Sequence, residues 1–209
     1  MTAVERRTWW QRVRWALAYE VGMYRSLARW VARRPSLGGP DARPHGYARL
    51  VGPMLWLWIF GSAVEVVVLH VLIPWPVVQL VALVLGVWGL VWMLGLLASY
   101  RVFPHLLERD RLRVRSGALV DVAVPWAAVE SVGTGDEDLE SSIRSLQPIE
   151  TERGTHLRVG VSGRVNVHLT LVEPTQVRTP RGPMTIVRLS LWADDPRDLA
   201  RDVRAAASA

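Results

Sequence analysis

The hydrophobic positions of the chain change period twice, and each period predicts a different kind of element. Trp10, Val13, Leu17, Val21, Tyr24, Ala28 and Val31 recur every three or four residues. That spacing predicts an amphipathic helix over 4–34, ended by Pro35 and a Gly- and Pro-rich loop. Arg7, Arg14, Arg25 and Arg29 fall mostly off the stripe. From 50 to 100 the periodicity vanishes because nearly every position is apolar, in two blocks at 50–73 and 75–99 parted by Pro74, Trp75 and Pro76. A helix over either block is roughly 36 Å long at about 1.5 Å per residue, and a bilayer's hydrocarbon core is about 30 Å thick. So short a turn forces the two helices back to back. The expectation is a transmembrane hairpin.

Beyond Tyr100 the period becomes two. Leu112 and Val114 alternate with Arg111, Arg113 and Arg115, a Ser116-Gly117 turn follows, and 119–124 reads as the returning strand. Leu157, Val159 and Val161 alternate next, then Val165, Val167, Leu169 and Leu171 after Ser162-Gly163. A short strand at 175–178 is closed by Pro180-Arg181-Gly182-Pro183, and Val187, Leu189 and Leu191 form another. These patterns predict half-buried antiparallel strands joined largely by hairpins. A terminal helix should start at Asp194 or Asp195, with Pro196 in its first turn and Leu199, Val203 and Ala206 on one face. The insertion at 133–154 is expected to hold a short helix capped by Asp136, with Leu139, Ile143 and Leu146 on one face and Glu140 paired to Arg144.

Composition adds exclusions. Cysteine is absent, which removes disulfides, thiolate nucleophiles and cysteine-ligated metals. All 25 basic residues are arginine, a bias attributable to a GC-rich genome, so the basic balance is not read as nucleic-acid binding. Mean hydropathy is only +0.17 because the apolar residues are concentrated in the middle. Charges stand where the apolar region of a cleavable signal peptide would lie. Ten arginines precede the first apolar block and Arg101, Arg109, Arg111, Arg113 and Arg115 follow the second, while the turn carries none. The positive-inside rule then puts both termini in the cytoplasm and the 74–76 turn outside.

Three polar groups fall inside the hairpin. Folding about 74–75 brings His70 level with Gln79, and Glu65 level with 84–86. A carboxylate at mid-membrane costs a few kcal/mol even on lenient scales. Glu65 therefore has three readings: a proton- or ion-handling group, a contact to another membrane subunit, or a residue held neutral by hydrogen bonding. Gly86, Gly89 and Gly95, with Gly61, would let another helix approach closely. On the N-terminal helix, Trp10 and Leu17 opposed to Arg14 and Arg25 suit the membrane interface; packing on the chain's own soluble domain or on a partner is the alternative. On the strands, Arg111, Arg113, Arg115, Arg158, Arg164 and Arg188 occupy outward positions, either as an ordinary solvated face or as contacts to lipid headgroups or a partner. Asn166, His168 and Thr170 are expected on the solvent side of their strand. The histidines lack metal-ligand spacing, the acidic run at 136–140 lacks that of a calcium loop, and no nucleotide or hydrolase motif is found.

The run Tyr100 … Arg111-Leu112-Arg113-Val114-Arg115-Ser116-Gly117 … Val124-Pro125-Trp126-Ala127-Ala128-Val129-Glu130-Ser131-Val132 resembles the opening of bacterial pleckstrin-homology-like (PH-like) domain membrane proteins. In that family a transmembrane hairpin feeds a strand, a Ser-Gly turn, a second strand and a proline-led stretch, and a C-terminal helix completes the fold. The resemblance covers roughly 48–208 and leaves out the N-terminal helix. It implies an α+β membrane protein of the bacterial cytoplasmic (inner) membrane. The parts are a basic amphipathic helix and loop (1–46), a hairpin (47–100) and a cytoplasmic PH-like antiparallel β domain closed by a helix (101–209). It implies no shared catalytic residues.

The expected function is accordingly a non-enzymatic, membrane-anchored interaction or scaffold protein, without cofactor or metal. Its expected partners are membrane lipids and a membrane protein or further copies of itself. The alternative is a subunit of an oligomeric transport or channel assembly.

Overall fold

The computed structural model describes residues 9–142 and 144–208. Among these residues four helices and nine strands follow in the order α1 (Trp9–Val31), β1 (Arg43–His45), α2 (Gly52–Leu72), α3 (Pro76–Val102), β2 (His105–Leu107), β3 (Arg111–Ser116) and β4 (Val120–Pro125). A 3-10 turn (Trp126–Ala128) leads to β5 (Val129–Asp138), β6 (Leu146–Thr151), β7 (Gly154–Val159), β8 (Arg164–Thr179), β9 (Gly182–Leu191) and α4 (Pro196–Ala207). The chain is α+β, as expected.

Helices α2 and α3 are long and apolar enough to cross a membrane, at 21 and 27 residues. Prolines sit in the first turn of each, where a missing N–H costs nothing. The expected depth match is present: the Gln79 side-chain amide donates to the His70 carbonyl. Deeper along the hairpin the helices meet at Gly86, where an added Cβ would stand 2.4 Å from Val66. Gly95 serves α1 instead; a Cβ there would lie 3.0 Å from the Met23 carbonyl oxygen. Gly61 and Gly89 face open space.

Helix α1 packs on the C-terminal half of α3, through a face the periodicity did not single out. Met23 and Ser26 are buried. The Tyr19 ring sits 6.2 Å from that of Trp92, and Arg101 lies over the Trp30 ring at 5.6 Å. The stripe read from the sequence stays outside, with Trp10 72% and Leu17 60% exposed. Tyr24 is the partial exception, accepting a hydrogen bond from the Trp88 indole at 2.7 Å. The predicted helix residues 4–8 lie outside the described residues.

The β domain is two sheets, ordered β1-β2-β3-β4 and β5-β8-β9-β7-β6. They share one core, in which Leu112, Val122, Leu157, Leu169 and Leu189 are fully buried. Helix α4 closes it with Leu199, Ala200 and Val203, and the Arg204 guanidinium donates to the Val132 carbonyl at 3.0 Å. Pairing is antiparallel except between β7 and β9, which run parallel.

Three expectations for this domain are corrected. The helix expected in the insertion is absent among the described residues: 129–138 is strand β5 against β8, and 146–151 is strand β6 against β7. Asp136 is therefore a strand residue. Glu140 and Arg144 are not on a common helix, and Ile143 lies outside the described residues. Unsatisfied edges of β7 and β8 offered this segment long-range partners, and pairing outweighed local helix propensity. The separate short strand at 175–178 is the far end of the single 16-residue strand β8. The loop before α2 contributes β1, which pairs with β2 across the whole hairpin insertion.

Candidate functional site

Both ends of the α2–α3 hairpin are tied into the β domain. Tyr47, between β1 and α2, is fully buried. Its hydroxyl accepts the Gly117 N–H at 2.8 Å, and its ring lies 4.6 Å from the imidazole of His105 and edge-on to Tyr100. His105 Nδ1 accepts the Arg115 N–H at 3.0 Å. Its Nε2 must then carry the proton and donate to the Trp192 carbonyl at 2.9 Å. Burial pulls this imidazole down to about 4. On the α2 side, the Asp194 carboxylate accepts the Arg49 N–H at 2.9 Å while Asp195 pairs with the Arg49 guanidinium at 3.0 Å. Burial raises Asp194 above its ordinary value. Asp195 precedes α4 without a side-chain cap, and its Oδ1 pairs with Arg49.

The outward arginines prove to be two kinds of residue. Arg115 is not outward at all: it is 4% exposed, and its guanidinium donates to the Ser36 carbonyl at 2.8 Å. A neighbouring chain segment covers that end of β3, which alternation along one strand could not reveal. Arg111 pairs with Asp110, and Arg113 with Asp121 and Glu108. Arg158 meets Glu137 at 2.7 Å, and Arg164 meets Asp138 at 3.2 Å. Arg188 is exposed. The acidic run at 136–138 thus answers Arg158 of β7 and Arg164 of β8.

The polar groups of the hairpin are separated by the structure. His70 and Gln79 meet, through the His70 backbone rather than its ring. Glu65 is exposed on α2, one turn from the open Gly61. Trp10, Arg14, Leu17 and Arg25 are all exposed on α1.

His168 was expected in solvent and is not. Its Nε2 lies 2.8 Å from the Gly135 carbonyl, which can only accept, so Nε2 donates. Nδ1 then accepts from the Ser190 hydroxyl at 2.7 Å, and Ser190 Oγ in turn accepts from His156 Nε2 at 2.7 Å. Asn166, also expected outward, is buried and bonds both the N–H and the carbonyl of Ala193. The Ser190–His168 pair has the polarity of a nucleophile and its base. Ser190 is fully buried, however, so no outside substrate reaches it. Burial and the nearby Arg158 and Arg188 pull His156 down to about 4. A cavity of about 410 Å³ lies beside it, between Glu130, Glu173, Arg153 and Arg188. Among the described residues no cluster of three or more histidine, aspartate or glutamate side chains could hold a metal ion.

Sequence reasoning missed Tyr47, His105 and the Ser190 network. Their partners lie on other elements, those of Tyr47 beyond the whole hairpin or at its far end, and no local period marks such contacts. No protein-family model, curated protein or solved structure matches the chain.

Proposed function

We propose that this chain is a non-enzymatic, membrane-anchored interaction protein of the bacterial cytoplasmic membrane. In this reading α2 and α3 cross the bilayer with both termini in the cytoplasm. A PH-like β domain is held against the inner leaflet, where it meets lipid headgroups and a partner protein. One observation carries the reading: the tie between hairpin and β domain. Only Phe103 and Pro104 separate α3 from β2, β1 pairs with β2 across the hairpin, and Arg49 is clasped by Asp194 and Asp195. Such an attachment fixes the height of the β domain rather than leaving it on a tether.

The test is to isolate the intact protein from its native membrane in lipid nanodiscs and weigh what emerges. A second protein in fixed ratio supports the interaction reading and identifies the partner. A lone monomer bound only to bulk lipid removes the protein partner.

The second reading, a subunit of an oligomeric transport or channel assembly, is favoured by Glu65. Its carboxyl lies on the outward side of α2 with no hydrogen-bond or ion-pair partner among the described residues, beside the open face of Gly61. In hydrocarbon such a group needs a partner from outside the chain. A mass that is a simple multiple of this chain, reduced by Glu65→Leu, would favour this reading.

A further inference from the structure

The five-stranded sheet turns Leu157, Leu169 and Leu189 into the core. Their neighbours His156, Thr170 and Arg188 therefore fall on the opposite face, where they line the cavity of about 410 Å³. Three irregularities of the sheet converge on that cavity. Glu130 is the extra residue of β5 between the pairs Val129–Leu171 and Ser131–Thr170. Residues 171–174 of β8 stand against the single Val187 of β9, and the pairing of β7 skips the same Val187. Bulges of this kind re-aim side chains and are over-represented beside active sites. The volume falls in the range, roughly 300–1,000 Å³, of sites that enclose a small ligand.

His156 brings an unused nitrogen to this wall. The residue is only 5% exposed, and its Nε2 donates to Ser190 Oγ at 2.7 Å. Nδ1 is then the lone-pair nitrogen of a neutral ring, and it has no hydrogen-bond partner among the described residues. Burial, with Arg158 and Arg188 nearby, keeps the ring neutral down to about 4. A ligand in the cavity must supply the missing N–H or O–H.

The charges around the cavity are also unused. Arg158 and Arg164, on the same sheet, are answered by Glu137 and Asp138. Glu130, Glu173, Arg153 and Arg188 are exposed, and among the described residues none has a hydrogen-bond or ion-pair partner for its side chain. Two carboxylates and two guanidiniums thus line one cavity without pairing with each other. Two guanidiniums suit an oxyanion with several oxygens, a phosphate above all. The carboxylates and the Nδ1 lone pair suit an ammonium, which can only donate.

We propose that this cavity binds an ethanolamine phosphodiester, its primary ammonium donating to His156 Nδ1 beside Glu130 and Glu173 and its phosphate held by Arg153 and Arg188. Such a group is found on a lipid or in a water-soluble ester. The site belongs to the β domain, so the inference does not rest on the hairpin crossing a membrane.

The test is calorimetric titration of the full chain in maltoside micelles with glycerophosphoethanolamine. One molecule per chain should bind. Glycerophosphocholine, whose nitrogen carries no N–H, should bind roughly tenfold more weakly or worse. Arg153→Ala with Arg188→Ala, and separately Glu130→Gln with Glu173→Gln, should each weaken glycerophosphoethanolamine by a similar factor. All four side chains are exposed and unpartnered, so these replacements leave the fold in place. No binding of glycerophosphoethanolamine at millimolar concentration overturns the proposal. Equal binding of the choline ester, or an affinity unchanged in both double variants, does so as well. Micelles doped with dioleoyl phosphatidylethanolamine, against dioleoyl phosphatidylcholine, distinguish the two sources. Competition by the first identifies a lipid headgroup, and binding without competition identifies a water-soluble ester.

Discussion

The hairpin and the β domain are built from the same few residue types and place them oppositely. Leu157, Leu169 and Leu189 are fully buried in the domain, whereas Val71 is 76% and Val77 75% exposed on the hairpin. In the domain, apolar residues occupy every second position and the sheets face each other. On α2 and α3 they run all the way round, and among the described residues most of the large ones from Met54 to Trp88 stay exposed. Removing one such side chain from water is worth roughly 1.5–3 kcal/mol. A hairpin that leaves so many outside is long and apolar enough to cross a membrane, the setting proposed above. Hydrophobicity alone did not decide which residues became core; periodicity did.

Helix α1 shows the same lesson on a smaller scale. Its most apolar stripe faces out, and the face containing Ser26 and Met23 packs on α3, with Ser26 Oγ bonded back to the Gly22 carbonyl at 2.6 Å. In lipid there is no hydrophobic drive to bring two helices together, so small and mixed faces pack while apolar ones meet the acyl chains. The proposed membrane setting thus accounts for a choice of face that is backward for a protein in water.

The sharpest way to break this comparison is a matched pair of truncations. Leu189→Ala should destabilise the β domain by about 2–5 kcal/mol, whereas Val71→Ala should change stability by no more than about 0.5 kcal/mol. Denaturant unfolding in detergent micelles, followed by tryptophan fluorescence, checks both. Equal costs would mean that the hairpin surface is packed against something.

Acid should separate the two regions next. His105 and His156 are neutral in the fold and held near about 4, below the ordinary histidine value of 6.5. Between those values the unfolded chain binds protons that the folded chain refuses. Stability is therefore greatest above 6.5 and falls as pH drops toward 4, by at most about 1.4 kcal/mol per pH unit for each histidine. Unfolding curves at several pH values should show this loss in the β domain, and His156→Gln should remove about half of the slope.

Glycine replacements test the helix contacts. Gly86→Leu and Gly95→Leu should each cost about 1–3 kcal/mol by overpacking, the second also loosening α1 so that proteolysis reaches it sooner. Gly89→Leu, facing open space, should do neither. The smallest effect belongs to the surface ion pairs: Glu137→Gln, which strips Arg158 of its partner, is expected to cost no more than about 1 kcal/mol in the same unfolding measurement.

How much was legible follows from the range of each interaction. The α2–α3 depth match, strands β3, β4, β7 and β9, and helix α4 could be read because each is marked by a local period or by one turn. Strands β5 and β6 could not, because Glu137 and Asp138 pair with residues 164–165 and mimic the acidic first turn of a helix. The candidate joint was invisible for the same reason: Tyr47 and His105 are neighbours only because the hairpin returns the chain to its starting point. The arginines of the strands were legible as a pattern, and their carboxylate partners were not.

The most direct measurement exploits the absence of cysteine. Single cysteines introduced as Trp75→Cys and Arg188→Cys would be probed in intact cells with a membrane-impermeant maleimide. The account predicts labelling of Trp75→Cys in intact cells and of Arg188→Cys only after lysis. Labelling of Arg188→Cys in intact cells, or protection of Trp75→Cys until lysis, would contradict a hairpin that crosses the membrane and holds the β domain on the inner side.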